Sequence, residues 1–185
     1  TPRPIYCGFF APPQSNQGKS LPGLALPVVV FGSDQEDLKK PPVIHIPGGP
    51  GGSETLPDRI VFWPEWIAQQ SWLAGRDFII MDPRGTALAR PSLDCPHLRK
   101  AIAEAFWSDD FTESRARAVR HCLDTQGLTP GQLTGFNSKA AARDYQHLAH
   151  VLGYDQWVAF AVSSGSRIAF RLAALPNHSV TKFII

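Results

Sequence analysis

Residues 161–167 read AVSSGSR, between the apolar run WVAF (157–160) and the helical run SGSRIAFRLAAL (164–175). A serine on so tight a strand-to-helix connection can serve as a nucleophile, because the strained turn exposes its hydroxyl. Such an elbow needs a small residue two places before the serine and another two places after it. Larger side chains there would collide with the adjoining strand and helix. Around Ser163 those places hold Ala161 and Gly165. The following helix would direct backbone N–H groups and its positive dipole end at the site. The plainer reading of the same residues is an ordinary loop.

A second candidate is HIPGGPGGS (45–53), also straight after a strand-like run. Gly48, Gly49, Gly51 and Gly52 let the backbone approach a ligand closely and turn N–H groups toward it. A mobile loop and a phosphate cradle are the competing readings. The cradle fits poorly: no Lys-Ser/Thr follows the glycines, and Pro50 removes a donor. An oxyanion hole fits better, with one N–H from this loop and one from Ser164, the residue after the nucleophile. A third candidate is MDPRGTALARP (81–91). Asp82 and Arg84 are titratable groups beside the site, and the preferred reading is structural: a charge pair that fixes the loop.

These segments need a frame to hold them. LALPVVVF (24–31) reads as a strand, and Pro27 suits an edge position. GSDQEDLKK (32–40) is a polar surface turn. PPVIHI (41–46) is a short β-branched run. PEWIAQQSWL (64–73) spaces Trp66, Ile67, Gln70 and Leu73 along one face of a short helix. DFIIMD (77–82) is a continuous apolar run, as in parallel strands buried on both faces. From Pro96 to Asp124 the pattern is helical and polar, with Leu98, Ile102, Ala105 and Phe106 apolar and DDFTES as a cap. Residues 125–137 form a turn-rich bridge. SKAAARDYQHLAHVLG (138–153) is the clearest helix: Ser138 can cap it, Gly153 can end it, and Tyr145, Leu148, Ala149 and Leu152 form its stripe. WVAF (157–160) and TKFII (181–185) are strands flanking the last helix. The order strand, helix, strand, helices, strand, helix, strand argues for a parallel sheet wrapped by helices.

The chain has 185 residues, 43% of them hydrophobic, enough for one domain with a sizeable core. A net charge of +2 points to neither nucleic acid nor an anionic membrane. No run is long enough for a membrane span, and no signal peptide is visible. Cys7, Cys95 and Cys122 lack a metal-type spacing. Cys95 and Cys122 can meet if the helical stretch folds back, or remain two buried thiols. The five tryptophans, Trp63, Trp66, Trp72, Trp107 and Trp157, read mostly as core or pocket wall. Asn177-His178-Ser179 matches a glycosylation sequon, with chance the simpler explanation.

The three motifs, in this order, resemble the α/β-hydrolase fold, and more narrowly the proline iminopeptidase and tripeptidyl aminopeptidase group of serine peptidases. That group carries Gly-Gly-Pro-Gly-Gly, then Asp-x-Arg-Gly-Thr-Gly-x-Ser, then Gly-x-Ser-Tyr-Gly. Here the matching stretches are GGPGG (48–52), DPRGT (82–86) and AVSSG (161–165). CGFFAPP and LDCP resemble cysteine motifs of the group's secreted branch. Ala161, Ser164 and ALA (87–89) depart from the pattern, which weakens the carry-over of substrate preference more than that of chemistry.

The resemblance implies a mostly parallel sheet flanked by helices, with residues 1–185 as the N-terminal part of the catalytic domain. It implies Ser163 as nucleophile, with Gly49 or Gly48 and Ser164 donating to the oxyanion. The implied activity is an aminopeptidase that releases N-terminal residues from short peptides through an acyl-enzyme, with no metal or cofactor. In this fold an Asp or Glu and then a His follow the serine. After Ser163 the chain has His178 and no Asp or Glu. His178 lies at the far end of the helix from Ser163 and reads as a surface residue. His45, His97, His121, His147 and His150 precede the serine. The expectation is therefore that acid, base and cap belong to a C-terminal part, which is also a partner, and that the segment alone is inactive. Its ending on the apolar run TKFII points the same way. The alternatives are a hydrolase-like binding domain without activity, and an esterase of the same fold acting on a small ester. Epoxide opening would call for Asp in place of Ser163. The cysteine pattern and the Met-less start favour a secreted or periplasmic location over a cytoplasmic one.

Overall fold

The computed structural model describes residues 3–13, 21–33, 40–107 and 110–185. Of the expected polar turn at 32–40, residues 34–39 lie outside these, as does the side chain of His97. Among the described residues six strands form one sheet: β1 (Ile5–Phe10), β2 (Leu26–Phe31), β3 (Val43–Ile46), β4 (Phe78–Met81), β5 (Trp157–Ala161) and β6 (Val180–Ile184). Their order across the sheet is β1-β2-β4-β3-β5-β6. β4, β3, β5 and β6 run parallel, and β1 and β2 are antiparallel additions at one side.

The central strands VIHI, FIIM and WVAFA are almost entirely apolar because both faces are covered. On one face, Ile44, Ile46, Ile79, Met81, Ala159 and Ala161 form a buried cluster with two helices. Those helices are α6 (Ser138–Val151), through Ala142, Tyr145, Leu148 and Ala149, and α7 (Gly165–Ala173), through Ala169 and Leu172. On the other face, Val43, Phe78, Ile80 and Val158 pack with Ile67 and Leu73, and Trp63, Trp66 and Phe160 close the cluster. Each large apolar side chain buried in this way contributes roughly 1.5–3 kcal/mol. The Tyr145 hydroxyl donates to the Met81 carbonyl at 2.7 Å, tying α6 to the end of β4.

Several sequence expectations are revised. β2 lies inside the sheet, between β1 and β4. Pro27 is tolerated there because its carbonyl accepts from the Asp82 N–H at 3.2 Å. N–H and C=O of one strand residue point the same way, so the missing donor faces the point where the β4 ladder has ended at Met81. β1 had no place in the sequence pattern, since five of its six residues are exposed and give no alternation. The helix expected over 64–73 is α2 (Trp63–Ala68) followed by a single 3₁₀ turn (Ser71–Leu73), with Gln70 extended between them. α1 (Pro57–Ile60) is a single turn just before α2.

The stretch from Pro96 is a hairpin of α3 (Pro96–Ala105) and α4 (Phe111–Thr125), closed at its base by a Cys95–Cys122 disulfide. Cys7 is free and exposed. Trp107 is 90% exposed rather than core. The turn-rich bridge contains α5 (Pro130–Leu133), started by a capping box between Thr129 and Gln132. Asn137, not Ser138, caps α6, its side chain accepting from the Ala140 N–H at 2.9 Å. Leu152 lies past the end of α6 and is half-exposed.

His45 sits on β3 inside an aromatic box, with ring centroids 4.8 Å from Trp63, 5.2 Å from Phe160 and 6.2 Å from Phe78. Its Nδ1 is buried without a partner among the described residues. Burial lowers its pKa from 6.5 to about 4, opposed in part by a hydrogen bond with the Phe160 backbone. The imidazole is therefore neutral in the folded protein at pH 7. A histidine with a depressed folded pKa stabilises fully above its unfolded pKa, and that stabilisation is lost as pH falls from about 6.5 toward 4. The loss amounts to about 3 kcal/mol over this window. Urea titrations at pH 7 and pH 4 should show the wild type losing about that much more stability than a His45→Phe variant. Equal losses would contradict this account.

Candidate active site

β5 ends at Ala161 and α7 begins at Gly165, so the connection is three residues long. Ser163 adopts φ +52°, the left-handed region that a non-glycine residue enters at a cost. Local hydrogen bonds hold it there. The Val162 N–H donates to the Ile46 carbonyl (3.1 Å), and Gly165 N–H to the Val162 carbonyl (2.8 Å). Ser166 donates to the Ser163 carbonyl through both its N–H (3.0 Å) and its hydroxyl (2.6 Å). The two small residues sit where sterics require them. Ala161 is 2% exposed. A Cβ on Gly165 would lie 2.4 Å from the Ile46 carbonyl oxygen and 2.8 Å from that of Pro47. Ser163 is exposed, and its hydroxyl takes no hydrogen-bond partner among the described residues.

The glycine-rich loop reaches this turn. A Cβ on Gly48 would stand 3.0 Å from the Val162 carbonyl oxygen and 3.1 Å from the Ser163 Cβ, so a side chain here would press the two segments apart by a few tenths of an ångström. The Gly52 N–H donates to the Gly48 carbonyl at 3.2 Å and closes the loop on itself. Gly49 sits at φ +126°, packed against the Gly52 nitrogen. Among the described residues, the N–H groups of Gly48, Gly49 and Ser164 meet no acceptor. A free hydroxyl on a strained turn beside unengaged main-chain donors is what acyl transfer requires.

Asp82 and Arg84 hold this arrangement but do not pair with each other. Asp82 is fully buried at the end of β4. It accepts from the Ser53 hydroxyl (2.5 Å), the Glu54 N–H (2.8 Å), the Thr55 hydroxyl (2.5 Å) and the Thr55 N–H (3.3 Å). It thus clamps the C-terminal end of the glycine loop. Arg84 instead makes a two-point contact with Asp144 of α6, Nε to Oδ2 at 2.8 Å and Nη2 to Oδ1 at 2.6 Å. Its Nη1 donates to the Gly135 carbonyl at 3.0 Å. Burial pushes the Asp144 carboxyl up in pKa, and the Arg84 guanidinium pulls it back, with burial the larger influence. Asp144 was missed in the sequence, yet it falls on the buried stripe at 141, 144, 145 and 148. A charge at that register position was a readable sign of a buried partner.

These loops line an open cavity of about 940 Å³; Gly48, Ser164, Arg59, Arg84, Phe136 and Arg167 are among its lining residues, and Ser163 stands beside them at Ser164. Among the described residues no histidine lines this cavity. His45 is under the other face of the sheet, and His178, half-buried, packs its ring on Phe183. Among the described residues no helix is long and apolar enough to cross a membrane.

The alpha/beta hydrolase fold family matches over residues 41–185. No curated protein matches the chain. Solved structures do. A proline iminopeptidase-related protein from Thermus thermophilus aligns with a TM-score of 0.52 at 16% identity, over 92% of this chain and 40% of that one. Homoserine O-acetyltransferase from Staphylococcus aureus aligns with a TM-score of 0.55 at 17% identity, over 98% and 46%. The epoxide hydrolase CorEH aligns with a TM-score of 0.52 at 16% identity, over 97% and 41%. The chain therefore spans less than half the length of each.

Proposed function

The chain belongs to the alpha/beta hydrolase fold family, and we propose that it carries the nucleophile and oxyanion donors of a serine hydrolase, an aminopeptidase acting on short peptides. The observation that carries this reading is Ser163 itself, at φ +52° with an unengaged hydroxyl, against a glycine loop whose Gly48 and Gly49 N–H groups meet no acceptor among the described residues. In the proposed reaction Ser163 Oγ attacks the scissile carbonyl and gives its proton to a histidine base. The new C–O bond places negative charge on the carbonyl oxygen, which the N–H groups of Ser164 and of Gly48 or Gly49 receive. The C–N bond then breaks, the leaving amine takes the proton, and water hydrolyses the acyl ester. The base and the acid that orients it come, in this proposal, from residues other than these 185.

The Gly-Gly-Pro-Gly-Gly loop supports a peptidase within the family. Ser163 argues against epoxide opening, which needs a carboxylate at the elbow. The Cys95–Cys122 disulfide supports an oxidising compartment, secreted or periplasmic. The direct test is a fluorophosphonate probe on the full-length protein, read by mass spectrometry. An adduct at Ser163, absent in Ser163→Ala, is the expected result. A full-length protein that stays unlabelled at that position rejects the assignment.

A further inference from the structure

We propose that Arg167 determines specificity, by holding the carboxylate at the C-terminal end of a short peptide substrate. This rests on the serine-hydrolase reading above and adds the substrate's charge to it. Arg167 stands in the first turn of α7, its N–H bonded to the Ser164 carbonyl at 3.1 Å. Exposed, it lines the same cavity as Gly48 and Ser164. Long side chains on a helix lean toward its N-terminus, which for α7 is the elbow.

The other two cations of this cavity are Arg84 and Arg59, of which only Arg84 is held by an ion pair among the described residues. Arg84 is bound by Asp144 and Gly135. Arg59 acts electrostatically on Glu54, whose carboxyl burial pushes up in pKa. Asp58 and Asp94 also line the cavity, both exposed. Among the described residues neither they nor any other carboxylate pairs with Arg167. Arg167 is thus an uncommitted guanidinium in the cavity wall, a planar two-point donor suited to a carboxylate.

Distance selects which carboxylate. Arg167 is three helical residues from Ser164, about 4.5 Å along the axis. An extended peptide advances about 3.3 Å per residue. With the scissile carbonyl at Ser163, a C-terminal carboxylate one or two residues further on comes within the reach of an arginine side chain. A longer peptide would place its carboxylate beyond it. The favoured substrate is thus a peptide with only one or two residues after the scissile bond and a free C-terminus.

The test compares two fluorophosphonate probes, identical except that one tail ends in a carboxylate and the other in its methyl ester. Both are applied to the full-length protein and to its Arg167→Gln and Arg167→Lys variants. The wild type should react about tenfold faster with the carboxylate probe. Arg167→Gln should erase that preference, bringing the carboxylate and ester rates together, and Arg167→Lys should restore part of it. Wild-type labelling at equal rates by both probes overturns this proposal alone, as does a Gln variant that keeps the preference. Absence of Ser163 labelling by either probe overturns the hydrolase reading and this proposal with it.

Discussion

Replacing Asp82 with Ala should lower the unfolding free energy by about 3–5 kcal/mol and slow probe labelling of Ser163 in the same variant. Four donors converge on this one fully buried carboxylate: two hydroxyls, from Ser53 and Thr55, and the N–H groups of Glu54 and Thr55. Removing it leaves those donors inside the protein with nothing to bond, and each unsatisfied group carries a desolvation cost of roughly 1–3 kcal/mol. The second effect follows from connectivity. Residues 53–55 directly follow the glycine loop, whose Gly48 lies against Ser163, so freeing them frees the loop at Gly48 and Gly49. Urea unfolding and labelling kinetics on one preparation would check both halves. A variant with wild-type stability would show that Asp82 does not anchor the loop.

Gly165→Ala should reduce activity or probe labelling by about a hundredfold or more. The added methyl would come 2.4 Å from one backbone oxygen and 2.8 Å from another, on strand β3 and the residue after it. Backbone cannot rotate out of the way as a flexible side chain can. The elbow and the start of α7 must move away from β3, and a displacement near 1 Å at the reacting atom is worth about two orders of magnitude in rate. The overpacking should also cost about 1–3 kcal/mol of stability. Gly131→Ala in α5 serves as the control, because the nearest atom to its added carbon is 3.8 Å away and no clash arises. Labelling of Gly165→Ala at the wild-type rate would mean that the turn tolerates a side chain and that the steric account is wrong.

The location of the elbow was readable because its requirements are local. Small residues at 161 and 165, an apolar run before and a helical run after all fall within about twenty residues, and the strand, turn and helix form where expected. The parallel core was readable for a related reason. Strands covered on both faces must be largely apolar, and VIHI, FIIM and WVAFA show it, His45 excepted. The antiparallel side was less so. β2 has the composition of a strand, but nothing within it says that β1 covers its outer side, and Pro27 alone suggested an edge.

The sequence by itself therefore determined the alternation of strands and helices, the glycine loop and the serine turn. Each of these depends on sterics and periodicity within a few neighbouring residues. Only the tertiary structure decided the partners: Asp82 with Ser53 and Thr55, 29 and 27 residues away, and Arg84 with Asp144, 60 residues away. It also decided that β4 and β5 flank β3, which brings the loop after β3 against the turn after β5. Such pairings depend on which buried charge or hydroxyl finds a complement once the chain has collapsed, and no local pattern encodes that choice.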